Sequence, residues 1–76
     1  MNIKIYTTPT CPYCKMAKSY LSLKGFSYEE FDVSTNSSAL KEMVDLSGQM
    51  GVPVIVIDGE VIVGFNKERI DSLLGI

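Results

Sequence analysis

Cys11 and Cys14 stand two residues apart in the run Cys11-Pro12-Tyr13-Cys14, and they are the only strong nucleophiles in the chain. Thiols at this spacing form a reversible dithiol/disulfide couple, a structural disulfide, part of a metal or iron–sulfur site, or a haem attachment point. The rest of the sequence narrows the choice. Histidine is absent, which excludes His triads, His metal sites and His general bases. Covalent haem needs a histidine after the second cysteine, where Lys15 stands. Zinc takes about four ligands. Two thiols without an imidazole reach that number only in a dimer sharing thiolates or with carboxylates, and an iron–sulfur cluster shared between subunits meets the same arithmetic. A structural disulfide across so short a loop stabilises by only about 2 kcal/mol on the chain-entropy model, and a reducing cytosol disfavours it.

The flanking sequence favours redox chemistry. Residues 2–7 alternate Ile3 and Ile5 with polar or long neighbours and read as a strand. Thr7-Thr8-Pro9-Thr10 reads as a loop. From Pro12 the spacing of Met16, Ala17, Tyr20 and Leu21 predicts a helix that stops at Gly25. Cys11 therefore lies at a helix N-terminus, where unsatisfied N–H groups and the positive end of the dipole favour thiolate over thiol. Pro12 suits the first turn, whose N–H has no intrahelical partner. Cys14, one turn on, is placed to attack a mixed disulfide on Cys11. The pair reads as a nucleophile followed by a resolving thiol.

Further along, residues 28–33 predict a second strand with Phe31 and Val33 on one face, and its charges suggest a sheet edge. Ser34 to Ser38 is rich in capping residues. A helix to about Ser47 follows, with Leu40, Met43 and Val44 as its stripe and Gly48 as its stop. Pro53 opens Val54-Ile55-Val56-Ile57, apolar throughout and so expected at the sheet centre. Asp58-Gly59 before Glu60-Val61-Ile62-Val63 is a hairpin signal. Asn66 caps a last helix with Ile70, Leu73 and Leu74 inward. The expected order is β-α-β-α-β-β-α. The first βαβ unit should be parallel and right-handed and the final hairpin antiparallel. This is an α/β fold: one four-stranded mixed sheet with helices on both faces, forming a single domain over residues 1–76.

Composition bounds the function further. The 76 residues are 46% hydrophobic and 21% charged, with a net charge of −2. That is a globular balance, and it argues against gripping nucleic acid or an anionic membrane through charge. No apolar run approaches about 20 residues, and residues 1–10 lack a signal-peptide layout, so a cytoplasmic location is expected.

The chain resembles the glutaredoxins of the thioredoxin superfamily over its whole length. The likeness is carried by Ile5-Tyr6-Thr7 leading into Cys11-Pro12-Tyr13-Cys14, Ser47-Gly48-Gln49, Val52-Pro53, Ile57-Asp58-Gly59 and Val63-Gly64-Phe65. It implies a glutaredoxin fold and a disulfide oxidoreductase with Cys11 and Cys14 as catalytic residues. It further implies that no cofactor or metal is bound and that glutathione is a co-substrate. The implied partners are disulfide-containing proteins or glutathione, with the glutathione reductase/NADPH system or thioredoxin reductase as the source of electrons, and a monomer is expected. The resemblance also implies a cis Val52–Pro53 peptide beside the cysteines, turning the Val52 backbone toward substrate. Tyr13 then lies along the glutathione groove and Gln49 near a glutathione carboxylate, and Pro12, Gly64, Phe65 and Asn66 are further candidate substrate-binding residues. Without the resemblance, Pro53 is a strand-opening proline, Tyr13 an aromatic at a helix start and Gln49 a solvated loop residue.

Two departures stand out. Many glutaredoxins carry a Lys shortly before the first Cys, and here Thr7-Thr8-Pro9-Thr10 has none. The family's acidic pair at the last helix is replaced by Val63-Gly64-Phe65-Asn66-Lys67. Gly64-Phe65 is similar to the segment of redoxins that are reduced by thioredoxin reductase and serve ribonucleotide reductase. The reading from another class is a dimeric module binding a metal or cluster through its thiols.

Overall fold

The computed structural model describes residues 1–76. The elements are β1 (Ile3–Thr7), α1 (Pro12–Leu23), β2 (Glu29–Asp32), α2 (Ser37–Ser47), β3 (Val54–Ile57), β4 (Glu60–Val63) and α3 (Lys67–Leu74). They form one four-stranded sheet in the order β2-β1-β3-β4. β1 pairs parallel with β2, while β3 pairs antiparallel with both β1 and β4. This is the mixed sheet expected from the pattern. The charged β2 is an edge, and the wholly apolar β3 is internal and buried at all four positions. Asp58 and Gly59 both adopt positive φ, 48° and 88°, which matches the twist of a two-residue hairpin.

Strand alternation divides the core into two layers. Ile3, Ile5, Ile55, Ile57 and Ile62 face α1 and α3, meeting Ala17, Leu21, Ile70 and Leu74. Tyr6, Val54 and Val56 face α2, meeting Ala39 and Met43. The helices thus cover both faces. Spacing alone groups Met16 with the apolar stripe of α1, but Met16 is exposed and Cys14 takes the inward place one turn before Ala17 and two before Leu21. No helix is long and apolar enough to cross a membrane.

The core assignment carries a stability test. Leu21 is fully buried between α1 and the sheet, while Leu23, two residues on, is 82% exposed. Leu21→Ala is expected to cost about 2–5 kcal/mol, a large share of the roughly 4–11 kcal/mol that a chain of this length has. Leu23→Ala should stay within about 0.5 kcal/mol. Urea unfolding midpoints read both, and equal shifts would contradict the packing described.

Register decides where the site forms. Tyr6 lies opposite Val54, and Val54 opposite Val63. Thr7 lies opposite Asp32. The end of β1, the start of β3 and the end of β4 therefore meet at one end of the sheet. The loop to Cys11, the Val52–Pro53 segment and residues 64–66 all leave from that end.

Candidate active site

Cys11 is the N-cap of α1, with extended backbone at φ −87° and ψ 112°. Its Sγ accepts a hydrogen bond from the Cys14 N–H at 3.2 Å. That bond satisfies one of the N–H groups that the first turn of a helix otherwise leaves without an intrahelical partner. Pro12 occupies the first turn as expected. Cys11 is partly accessible, Cys14 is fully buried, and both are free thiols.

The two thiols differ in burial, and the buried one is shifted. Burial, followed by the hydrogen bond with Cys11, pushes the Cys14 thiol up to about 11. The Thr8 backbone and the Lys18 charge pull the other way. Cys14 is thus a protonated thiol at neutral pH. Iodoacetamide at pH 7 is therefore expected to alkylate Cys11 first, with Cys14 becoming reactive only as the pH climbs toward 11. Peptide mapping after brief alkylation measures the order, and faster labelling of Cys14 would reverse the assignment.

The second wall is the segment before β3. The Val52–Pro53 bond is cis, as the resemblance implied, and the Cys11 thiol points at the Val52 carbonyl over 3.8 Å. Pro53 is buried. The Val52 N–H donates to no group of the chain. A free N–H and a C=O beside the Cys11 sulfur form a short open edge that an extended chain can pair with. Gly64, at φ 82°, donates its N–H to the Pro53 carbonyl at 2.8 Å. That bond ties the end of β4 to the proline in a backbone conformation suited to glycine.

The remaining candidates are placed as follows. Tyr13 is 60% exposed, two residues from Cys11. Phe65 is half-buried and packs edge-on against Tyr20, with ring centroids 5.8 Å apart. The Asn66 side chain caps α3 by accepting from the Arg69 N–H at 3.2 Å. The adjacent Lys67 is ion-paired with Asp71 at 2.8 Å, and this partner holds the Asp71 carboxyl below the usual carboxylate range. The Gln49 amide is turned into its own loop, toward Ser47 and Gly51. Nowhere in the chain do three or more His, Cys, Asp or Glu side chains come together in a way that could hold a metal ion.

Sequence reasoning missed one polar cluster next to this site. Thr7, almost fully buried at the end of β1, donates to Glu30 at 2.8 Å, and Glu30 also pairs with Lys18 at 2.8 Å. Lys18 lies one turn after Cys14 on α1. The four-residue spacing of Cys14 and Lys18 was the available signal, but the pairing with Glu30 depends on the parallel register of β1 and β2.

Comparison with known proteins agrees with the geometry. The glutaredoxin family model matches residues 3–62. The chain is 53% identical over 72 residues to a glutaredoxin-like 8.6 kDa protein in the rubredoxin operon of Clostridium pasteurianum, covering 95% of this chain and 96% of the relative. It is 46% identical over 63 residues to glutaredoxin 3 of Escherichia coli K12, covering 83% of this chain and 76% of that protein. Among solved structures, the glutaredoxin-like NrdH-redoxin of Escherichia coli superposes with a TM-score of 0.84 at 29% identity, covering 96% and 95% of the two chains. With the thioredoxin-type sheet, the dithiol at a helix start and a family match across most of its length, the chain belongs to the glutaredoxin family.

Proposed function

We propose that the protein is a thiol–disulfide oxidoreductase that reduces protein disulfides or glutathione mixed disulfides through Cys11 and Cys14. The observation that carries this reading is the division of labour between the thiols: an accessible sulfur capping a helix, and a buried, protonated one a turn later. The Cys11 thiolate attacks one sulfur of the substrate disulfide. A Cys11–substrate bond forms, the substrate disulfide breaks, and the departing sulfur takes a proton. Cys14 then gives up its proton and attacks Cys11 Sγ, closing the Cys11–Cys14 disulfide and releasing the second substrate sulfur as a thiol. Two electrons and two protons pass from the dithiol to the substrate, and an external thiol or reductase restores the dithiol. Val52 offers backbone pairing to the substrate, and Tyr13, Pro12, Gly64 and Phe65 line its approach.

A second reading has the same chemistry and a different donor: a redoxin reduced by thioredoxin reductase that supplies electrons to ribonucleotide reductase. The absence of lysine from Thr7-Thr8-Pro9-Thr10 favours it. So does the likeness to NrdH-redoxin, a protein described as having a thioredoxin-like activity profile.

The shared chemistry is tested by NADPH oxidation with a protein disulfide, run once with glutathione and glutathione reductase and once with thioredoxin reductase, so that either donor can drive it. Consumption above background is expected with the wild-type protein and none with Cys11→Ser. Undiminished consumption by Cys11→Ser would contradict the proposal.

A further inference from the structure

Gln49 stands where the family resemblance puts a ligand for a glutathione carboxylate, yet its side chain has other partners. Nε2 donates to the Gly51 carbonyl at 3.1 Å, and Oε1 accepts from the Gly51 N–H. The amide therefore pairs with both backbone groups of Gly51, as a neighbouring strand would. Nε2 also reaches the Ser47 hydroxyl at 3.3 Å, and that hydroxyl donates to the Met43 carbonyl of α2 at 2.7 Å. This knot joins the end of α2 to Gly51, the residue immediately before Val52. There is no spare room in it: a Cβ added at Gly51 would lie 2.6 Å from Gln49 Oε1. Beyond it, the Val52 N–H is unpaired and the Val52 carbonyl faces Cys11 Sγ.

We propose that Gln49 is a positioning residue for substrate backbone, fixing Gly51 so that the open Val52 edge stands beside Cys11, and that it does not bind a substrate carboxylate. The proposal rests on the reading of the Val52 edge as the place where an extended disulfide substrate pairs. It assigns the loop a preference for disulfides that carry a peptide backbone, whatever their charge.

The experiment compares single-turnover oxidation of the reduced protein by three disulfides: an end-blocked, uncharged peptide disulfide, glutathione disulfide and bis(2-hydroxyethyl) disulfide, which has no peptide group. Gln49→Ala should slow the first two by a similar factor of about ten, the loss expected from one to two neutral hydrogen bonds, and leave the third unchanged. Gly51→Ala, which displaces the amide without removing it, should give the same pattern. Gln49→Lys should behave like Gln49→Ala. A loss confined to glutathione disulfide and restored by Gln49→Lys would overturn the proposal in favour of a carboxylate ligand. Equal loss on all three disulfides, or no loss on any, would overturn it as well. Gly51 amide hydrogen exchange should quicken in Gln49→Ala, and unchanged exchange overturns the assignment without reference to any substrate. Failure of the underlying docking reading looks different: the wild-type protein would then show no preference for the peptide disulfide over bis(2-hydroxyethyl) disulfide.

Discussion

Cys14→Ser is expected to lower turnover of protein disulfides by roughly a hundred-fold or more, while a mixed disulfide between Cys11 and the substrate accumulates. The argument rests on proximity. Cys14 is held one turn from Cys11, with its N–H on the Cys11 sulfur at 3.2 Å. An oriented intramolecular thiolate acts at an effective concentration far above any millimolar external thiol. Serine keeps the size and the backbone N–H but cannot form the second disulfide. Release then depends on attack by a thiol from solution. Glutathione can supply that thiol, so removal of glutathione from a glutathionylated substrate should survive the substitution. Non-reducing electrophoresis of the variant mixed with a protein disulfide should reveal the trapped adduct. Wild-type turnover by Cys14→Ser would contradict the two-thiol sequence.

The choice of electron donor should show the second large effect. Glutathione carries two carboxylates and one ammonium, so a strong site supplies cations or N–H groups for the former and an acid for the latter. Here the stretch from Thr7 to Thr10 has no cation, and Val63-Gly64-Phe65-Asn66-Lys67 has no acid. The groups left nearby are already engaged. The Asn66 side chain caps α3, Lys67 pairs with Asp71, and the Gln49 amide holds Gly51. A charge-assisted contact is worth about 1.5–3 kcal/mol, less at an exposed position. Two missing contacts weaken recognition by about one to three orders of magnitude, at 1.4 kcal/mol per ten-fold. Glutathione should therefore reduce the oxidised protein without saturating at low concentration, and thioredoxin reductase should compete as donor. Steady-state rates with each donor at matched concentration decide it. Saturation at low glutathione with no response to thioredoxin reductase would refute the expectation.

The fold was legible because its local signals agreed with one another. Asp58-Gly59 marked the hairpin, the continuous run from Val54 to Ile57 marked an internal strand, and the charges of Glu29, Glu30 and Asp32 marked an edge. The dithiol was legible for a similar reason, since a strand, a short loop and Pro12 place Cys11 at a helix start without reference to the rest of the chain. The details that escaped are tertiary. Helical spacing groups Met16 with the apolar stripe of α1, and only the angle at which α1 sits on the sheet leaves it exposed. Gln49 carries no sequence mark distinguishing an amide that faces solvent from one that closes on Gly51. The contact of Glu30 with Lys18 and Thr7 joins three separate elements, so no local pattern announces it.

The most direct test of the central claim is a stoichiometric one. Fully reduced protein is mixed with an equimolar protein disulfide in the absence of any other thiol, quenched in acid, and mapped by intact mass and peptide mass. The account predicts that the protein loses two hydrogens and gains a Cys11–Cys14 linkage while the substrate gains two hydrogens. A protein that keeps both thiols while the substrate disulfide stays intact, or that ends joined through Cys14 to the substrate, would contradict it.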